Sequence, residues 1–229
     1  MKTTVVIPAG GKGARFGGDL PIQFIELNGK PLIIRTIEVF NNIEEIEAIV
    51  LAVNSEWFTY TKELIGKYDF PKSIDVVVAG VERQDSIYNA LHSKFIQDSE
   101  IILIHDANRP FLSEKLIRKM IESADDNGAV VCGFRPNDPV KEINQKGEVV
   151  KTLQREKLSI TQTPQAFWTD LIVNAYEKAR EVSYAGSDSS QLVEFNGFKV
   201  TIIPGEDQNI KINTKFDFKV AELILNQEN

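Results

Sequence analysis

The chain has 229 residues, a formal net charge of −7 and 42% apolar residues. This length is enough to bury a sizeable core within one α/β domain. The acidic balance argues against binding to duplex nucleic acid, because non-specific affinity for DNA comes from lysine and arginine side chains that neutralise phosphates.

Short runs rich in valine and isoleucine alternate with segments of helical period, which is typical of a parallel sheet with helices on both faces. Five runs are predicted to be strands: 4–7, 46–53, 74–78, 101–104 and 129–134. Three segments between them are predicted to be helices: 31–40, 86–95 and 113–124, the last with Ser113 as its N-cap. The sequence therefore predicts an α/β fold with a Rossmann-like sheet.

The alternation breaks after the fifth strand. Residues 136–157 contain Pro139, a polar turn at 145–148 and a β-branched run from Val149, which together predict a β-hairpin rather than a crossover helix. We interpret this hairpin as an inserted arm that contacts a second subunit. Three further elements are predicted beyond it: a helix at 168–180, a strand at 198–203 and a helix at 214–225. We expect residues 1–229 to form one domain from which the arm protrudes.

The only cysteine, Cys132, lies in an apolar run and is expected to be a small hydrophobic residue in a buried strand. One cysteine excludes an intramolecular disulfide and a cysteine-built zinc site. The first eight residues begin like a strand and lack the apolar core of a signal peptide, and no run approaches the length of a membrane span. We therefore expect a cytoplasmic protein without a membrane partner.

The most informative stretch, residues 8–18, follows directly after the first strand and is rich in glycine. Glycines let backbone N–H groups approach phosphate oxygens closely at this end of a sheet, and Lys12 and Arg15 supply charges for a triphosphate. The loop is not a Walker A motif, because Gly13 follows Lys12, and Phe16 stands where the dinucleotide fingerprint has glycine. The loop is predicted to bind phosphate, the alternative being a flexible loop without a ligand.

Further motifs follow in order along nearly the whole chain. They are Ala9-Gly10-Gly11-x-Gly13-x-Arg15-Phe16, Leu20-Pro21-x-Gln23-Phe24, Gly29-Lys30-Pro31-Leu32, Gly80-x-Glu82-Arg83-Gln84-x-Ser86-Ile87, His105-Asp106-Ala107-x-Arg109-Pro110-Phe111, Gln162-Thr163-Pro164-Gln165-x-Phe167, Ser187-Asp188 and Asn209-Ile210-Lys211. With these motifs the chain resembles nucleotidyltransferases that join a sugar or polyol phosphate to a nucleoside triphosphate. It is most similar to the 2-C-methyl-D-erythritol 4-phosphate cytidylyltransferase family and its relative, ribitol-5-phosphate cytidylyltransferase.

The resemblance implies transfer of CMP from CTP to a sugar or polyol phosphate, with Mg²⁺ as cofactor and pyrophosphate as product. Such a reaction brings two polyanions together, so it requires charge neutralisation and in-line positioning rather than a protein nucleophile. The resemblance also implies a homodimer in which the arm carries Arg155 to the site of the partner subunit.

The site residues implied by the resemblance fall into three groups. The nucleotide would be bound by Ala9, Gly10, Gly11, Lys12, Gly13, Gly80, Arg83 and Ser86. The catalytic residues would be Arg15, Asp106 and Lys211, with Asp106 as the metal ligand. The acceptor would be bound by Arg109, Arg155 and Thr163.

Several of these residues have a structural alternative. Asp106 follows the strand at 101–104, where it could instead be a turn or cap residue. Arg109 could be an exposed surface arginine, and Lys211, in a predicted strand at 210–212, could extend to solvent rather than into the cleft. We interpret His105 as a structural histidine rather than a general base, because a phosphate nucleophile is already ionised.

The chain departs from the family pattern at two positions. Ile22 stands where the family has a lysine that neutralises the triphosphate, and the loss of one such contact costs about 2–4 kcal/mol of transition-state stabilisation. We hypothesise that Lys12 replaces it. Pro139 stands where the family usually has a threonine that contacts the acceptor phosphate, and proline has neither a hydroxyl nor an N–H group.

Three hypotheses follow for the function. The first is a cytidylyltransferase acting on 2-C-methyl-D-erythritol 4-phosphate in isoprenoid synthesis. The second is the same chemistry on another acceptor, such as ribitol 5-phosphate for a cell-surface polymer, which Pro139 favours. The third is a non-catalytic nucleotide-binding protein, which Ile22 alone suggests and which intact Arg15, Asp106 and Lys211 oppose.

Overall fold

The computed structural model describes residues 1–11 and 20–227. Its strands are β1 (Thr3–Ala9), β2 (Glu26–Leu27), β3 (Lys30–Pro31), β4 (Ile46–Val53), β5 (Ser73–Val78), β6 (Ile101–Ile104), β7 (Ala129–Phe134), β8 (Lys141–Ile143), β9 (Val149–Thr152), β10 (Ile160–Trp168) and β11 (Thr201–Pro204). Its α-helices are α1 (Leu32–Glu38), α2 (Phe58–Ile65), α3 (Arg83–Ala90), α4 (Glu114–Asn127), α5 (Thr169–Glu181), α6 (Ser189–Phe195) and α7 (Lys215–Gln227).

Seven of the described strands form one sheet, in the order β11-β7-β10-β6-β1-β4-β5. The predicted α/β sheet is confirmed, but the expectation of parallel strands is wrong at β10, which runs antiparallel to both β6 and β7. The other neighbouring pairs are parallel. β10 was not predicted because Pro164, inside it, cannot donate a ladder hydrogen bond. The pairing with β7 shifts register between Thr161 and Gln165, and this shift accommodates the proline.

Alternation of side chains along the strands divides the core between the two faces of the sheet. In β1, Val5 and Ile7 pack on one face and Val6 on the other. Helices α1, α2 and α4 cover the first face and α3, α5 and α6 the second, so the prediction of helices on both faces is confirmed. Cys132 is buried in the first cluster as expected, and desolvation raises the pKa of its thiol to about 12.

The starts of the helices follow their capping residues. The hydroxyl of Ser113 accepts a hydrogen bond from Leu116 N at 3.1 Å, as predicted for the N-cap of α4. The helix predicted at 86–95 begins earlier, because Glu82 and Asp85 form a capping box at the start of α3. Helices α2 and α6 were not predicted. Within the described parts of the chain, no helix is both long and apolar enough for a membrane crossing.

The predicted hairpin is confirmed. β8 and β9 pair antiparallel across a turn in which Gly147 N donates to Asn144 O. Every residue of both strands is exposed, and this includes Ile143, Val149 and Val150, at 61%, 60% and 61% exposure. These apolar side chains therefore add nothing to the core of the chain that carries them.

Candidate active site

A cleft of about 340 Å³ lies at the carboxyl ends of β1, β5 and β6. Ligands bind at this edge of open α/β sheets. The cleft brings together predicted site residues from four separate motifs. Those that line it are Ala9, Gly10, Gly11, Gly80, Arg83, Ser86, Asp106 and Lys211.

One wall of the cleft is the end of β1 with the start of the glycine-rich loop. A side chain at Gly10 is excluded, because its Cβ would lie 2.6 Å from the Cβ of Ala79. Apart from Gly11 itself and its chain neighbours, no described atom lies within 4 Å of a Cβ built on Gly11, and the residue lines the cleft. Gln23 Nε2 donates to Ala9 O at 2.6 Å and to Gly11 O at 3.1 Å, and it thereby fixes the start of the loop.

The remainder of the loop, residues 12–19, lies outside the described residues. Lys12, Gly13 and Arg15 belong to it. Their predicted contacts with a triphosphate stay predictions, as does the replacement of the missing family lysine by Lys12.

A second wall is the turn from β5 into α3. A Cβ on Gly80 would lie 2.1 Å from Asp85 Cβ, so the turn requires glycine. Ser86 Oγ donates to Glu82 O at 2.9 Å, which places its hydroxyl in the first turn of the helix. Gly80, Arg83 and Ser86 therefore face the same cleft, and their contacts with a nucleotide stay predictions.

Three cationic side chains converge on Asp106, whose own side chain is 8% exposed. Arg83 Nη2 lies 3.2 Å from Oδ1, while Arg109 Nε and Lys211 Nζ lie 3.3 and 2.8 Å from Oδ2. Burial alone would raise the pKa of this carboxyl, but the positive charges of Arg83, Lys211 and Arg109 outweigh burial and hold the pKa well below its usual range. Asp106 is therefore an ionised carboxylate that joins three cations.

His105 is buried beside this cluster and is fully hydrogen-bonded. Its Nε2 lies 2.9 Å from Arg109 O, and its Nδ1 lies 3.2 Å from Thr163 Oγ1. Because a carbonyl only accepts, Nε2 carries the proton and Nδ1 accepts from the threonine hydroxyl. Desolvation lowers the pKa of His105 to about 4, so the ring is neutral and structural, in agreement with the sequence interpretation.

Thr163 is also committed to internal contacts. Its Oγ1 accepts a hydrogen bond from Asp106 N at 3.0 Å while it donates to His105. The residue is buried in β10, directly beneath Asp106. Its hydroxyl therefore holds the backbone of Asp106 in place, and its predicted contact with an acceptor stays a prediction.

Arg109 and Lys211 are both directed towards the cluster. Arg109 is not the exposed surface arginine considered as an alternative, because its side chain is 11% exposed and its Nη1 donates to Asn209 O at 2.7 Å. The strand predicted at 210–212 is wrong, since these residues lie between β11 and α7 in irregular backbone. Lys211 nevertheless points into the cleft and contacts Asp106.

The arm residue Arg155 is exposed and donates to Asn137 O. It is not among the described residues that line the cleft of its own chain. Pro139 is exposed as well. The predicted roles of Arg155 and of the arm in a partner subunit stay predictions.

Ile22 lines the cleft but belongs to a small apolar cluster beneath it. The residue is 8% exposed and packs in a group with Leu27, Leu32 and Ile212. At the position where the family has a lysine, this chain therefore has a packing residue. Its neighbour in the cluster, Ile212, is adjacent in sequence to Lys211.

The side chains that line the cleft can be compared with the ligands that Mg²⁺ binds. Within residues 1–11 and 20–227, no group of three or more His, Cys, Asp or Glu side chains could hold a metal ion. Mg²⁺ is usually bound by one or two carboxylates together with waters and substrate phosphates, rather than by an all-protein cage. Asp106, a single ionised carboxylate that lines the cleft, fits that mode of binding.

The roles of the amide side chains that support the cleft are not evident from the sequence. Gln23 and Gln162 lie in motifs shared with the family, but the motifs do not indicate what these residues do. Asn108 and Asn213 line the cleft, but Asn108 stands at the variable position of its motif and Asn213 lies beyond the last motif, so neither gave a signal. Their hydrogen-bond partners are distant in sequence, and no local pattern reports such contacts.

Known proteins resemble this chain over almost its whole length. The family model described as “IspD: 2-C-methyl-D-erythritol 4-phosphate cytidylyltransferase” matches residues 3–227. The 2-C-methyl-D-erythritol 4-phosphate cytidylyltransferase of Clostridioides difficile is 42% identical over 226 residues, which cover 98% of this chain and 94% of that protein. The Bacillus mycoides protein of the same name is 36% identical over 222 residues, 97% of each chain. The crystal structure of 4-diphosphocytidyl-2C-methyl-D-erythritol synthase from Anaerococcus prevotii has a TM-score of 0.86 at 32% identity and covers 98% of both chains.

Proposed function

The chain belongs to the 2-C-methyl-D-erythritol 4-phosphate cytidylyltransferase family, and from that premise we propose how its residues carry out the reaction. The enzyme transfers CMP from CTP to 2-C-methyl-D-erythritol 4-phosphate in isoprenoid biosynthesis and releases pyrophosphate. The alternatives of a ribitol 5-phosphate acceptor and of a non-catalytic protein are not favoured.

One observation carries the proposal for the site. Arg83, Arg109 and Lys211 converge on the single buried carboxylate of Asp106, at the sheet edge where the glycine-rich loop begins. The excess of positive charge at this point suits a triphosphate and an acceptor phosphate. Since both substrates are polyanions, neutralising them is the main catalytic task.

In the proposed mechanism, an oxygen of the acceptor phosphate attacks the α-phosphorus of CTP. The new P–O bond forms as the bond to the β-phosphate breaks, and pyrophosphate leaves. The acceptor phosphate is already ionised, so no general base is needed, which is consistent with a His105 whose two ring nitrogens both form internal hydrogen bonds. Lys211 and Arg83 orient the phosphates and stabilise the developing charge, and we assign the same role to Arg15 in the glycine-rich loop.

The transfer needs a divalent metal, and we propose Mg²⁺ held by Asp106. When bound, it would neutralise part of the charge of the phosphates. In the structure, Lys211 and Arg83 contact the oxygens of Asp106. If Asp106 holds the metal, we propose that these cations turn from the carboxylate towards the phosphates.

We also propose that the enzyme is a homodimer joined by the β8–β9 arm. The three exposed apolar side chains of the arm, Ile143, Val149 and Val150, support this proposal, since a second subunit would cover them. In such a dimer Arg155, at the base of the arm, would reach the acceptor in the partner subunit.

A cytoplasmic location is proposed on the sequence argument. The single cysteine, Cys132, is a buried free thiol, which is compatible with a reducing compartment. Fractionation of cells that produce the tagged chain tests the location, and recovery in the membrane fraction would contradict it.

Two substitutions test the proposed site. Lys211→Met and Asp106→Asn should each lower kcat for CMP transfer by about 100-fold, because each removes a charge at the reacting phosphates. Lys199→Met, at an exposed lysine, is the control and should stay within twofold. A Lys211→Met enzyme within threefold of the wild type would contradict the role of this residue.

A further inference from the structure

Lys211 lies on a segment that no regular secondary structure holds. Residues 209–213 lie between β11 and α7 and are neither strand nor helix. A flexible lysine on such a segment would not keep its side chain directed at the cleft unless other groups fix the backbone. The hydrogen bonds of the neighbouring residues show how the backbone is fixed.

On the N-terminal side of Lys211, buried side chains hold Asn209. The carbonyl of Asn209 accepts from Arg109 Nη1 at 2.7 Å and from Gln162 Nε2 at 3.1 Å. Its own Nδ2 donates to Thr163 O at 2.8 Å. These contacts tie the start of the segment to β10 and to the loop that follows β6.

On the C-terminal side, Asn108 forms a two-way clamp. Its Nδ2 donates to Ile212 O at 2.6 Å, and its backbone carbonyl accepts from Ile212 N at 3.0 Å. The same Nδ2 lies 3.3 Å from Asn213 Oδ1. Asn108 is 9% exposed, so these bonds are largely shielded from water.

The hydrogen bonds between Asn108 and Ile212 link the two chain segments that carry the ion pair of Asp106 and Lys211. Asn108 comes two residues after Asp106, and the residue that it holds, Ile212, directly follows Lys211. The short segments 106–108 and 211–212 are therefore fixed side by side, with Lys211 Nζ 2.8 Å from Asp106 Oδ2. Position 108 is a gap in the sequence motif that contains Asp106, so the resemblance assigns it no function.

We propose that Asn108 is a positioning residue that aims Lys211 at the reacting phosphates by clamping Ile212. This inference rests on the role proposed for Lys211. It assigns Asn108 no direct contact with substrate, although the residue lines the cleft. An effect of Asn108 should therefore be transmitted through Lys211 alone.

A double-mutant cycle tests this dependence. Asn108→Ala should lower kcat about tenfold in the wild-type background, because one buried hydrogen bond to the backbone is lost. In the Lys211→Met background, the same substitution should change kcat less than twofold. Asn196→Ala is the matched control, since Asn196 Nδ2 also donates to a backbone carbonyl, Leu192 O, but at the end of α6.

Thermal unfolding of each variant distinguishes a protein that does not fold from a folded protein in which the Lys211 side chain is misplaced. If Asn108→Ala does not fold, the cycle is repeated with Asn108→Leu, which keeps the size of the side chain and removes only its polar atoms. We expect the substitution at Asn108 to lower activity without changing the melting temperature, and to do so only in the background that contains Lys211.

Two results would overturn the inference on its own. The first is a change in kcat below twofold for Asn108→Ala in the wild-type background. The second is an equal loss of kcat in both backgrounds, which would indicate direct contact of Asn108 with substrate or general support of the fold. In both cases Lys211→Met alone would still be strongly impaired. A Lys211→Met enzyme with nearly full activity would instead contradict the proposed role of Lys211, and the inference about Asn108 would fail with it.

Discussion

At the scale of single residues, the cleft combines an ion pair between Asp106 and Lys211 with buried amide side chains that hold the backbone around it. Asp106 and Lys211 lie in recognisable motifs, and the structure brings them into contact. The amides that support them were not predicted, because their partners are distant: Asn108 bonds a residue 104 positions away and Gln162 one 47 positions away. Such pairs leave no periodicity or spacing in the sequence.

His105 predicts a pH dependence of stability. Its pKa of about 4 in the folded chain lies below its value of about 6.5 in the unfolded chain, so the unfolded chain takes up the proton first. Its contribution to stability is complete above pH 6.5 and is lost as the pH falls towards 4. From these pKa values the loss is about 2–3 kcal/mol at pH 4.5.

Urea unfolding at pH 7.5, 6 and 4.5 measures this loss. The free energy of unfolding of the wild type should fall more steeply with decreasing pH than that of His105→Gln. His92, which is exposed, provides the control substitution His92→Gln, and this variant should retain the steep fall. Equal slopes for the wild type and His105→Gln would contradict the buried neutral state.

Ile22 predicts the outcome of restoring the family lysine. Ile22→Lys should leave turnover unchanged or lower it, because Ile22 belongs to the same apolar cluster as Ile212, the residue after Lys211, and because Lys12 is proposed to supply the charge. It should also lower the free energy of unfolding by about 1–2 kcal/mol, since a polar head is introduced into an apolar cluster. Ile22→Leu is the apolar control. A large gain in turnover would show that the site is impaired at this position.

At the scale of elements, the strands rich in valine and isoleucine and the hairpin arm were predicted, whereas β10 and the helices α2 and α6 were not. β4, β6 and β7 were predicted with the bounds that the structure gives them. β10 was missed because it contains Pro164 and the buried polar residues Gln162 and Thr163, which do not follow a strand pattern. These polar residues are the ones that support the cleft.

The arm predicts the oligomeric state. The wild type should sediment as a dimer, and the triple variant Ile143→Ser, Val149→Ser, Val150→Ser should sediment as a monomer with reduced turnover, because the apolar contact is removed and Arg155 no longer reaches a partner. Phe198→Ser, at an exposed aromatic residue outside the arm, should remain dimeric. A monomeric wild type, or a dimeric triple variant, would contradict the proposed role of the arm.

At the scale of the whole molecule, a net charge of −7 coexists with a cleft in which three cations share one carboxylate. The net charge of the whole chain therefore argues against a surface that binds nucleic acid. It does not exclude a pocket that binds a nucleotide, because the affinity of a pocket depends on the few charges that line it. The sequence motifs predicted that positively charged side chains gather in the cleft of this acidic chain. How the four charges pair could be determined only from the folded chain.

The central claim is that this cleft transfers CMP from CTP to 2-C-methyl-D-erythritol 4-phosphate, and pyrophosphate release measures it most directly. The assay compares that acceptor with ribitol 5-phosphate and with no acceptor, each in the presence of CTP and Mg²⁺. We predict release that depends on 2-C-methyl-D-erythritol 4-phosphate and exceeds release with ribitol 5-phosphate at least tenfold. Faster release with ribitol 5-phosphate, or no release with either acceptor, would contradict the account.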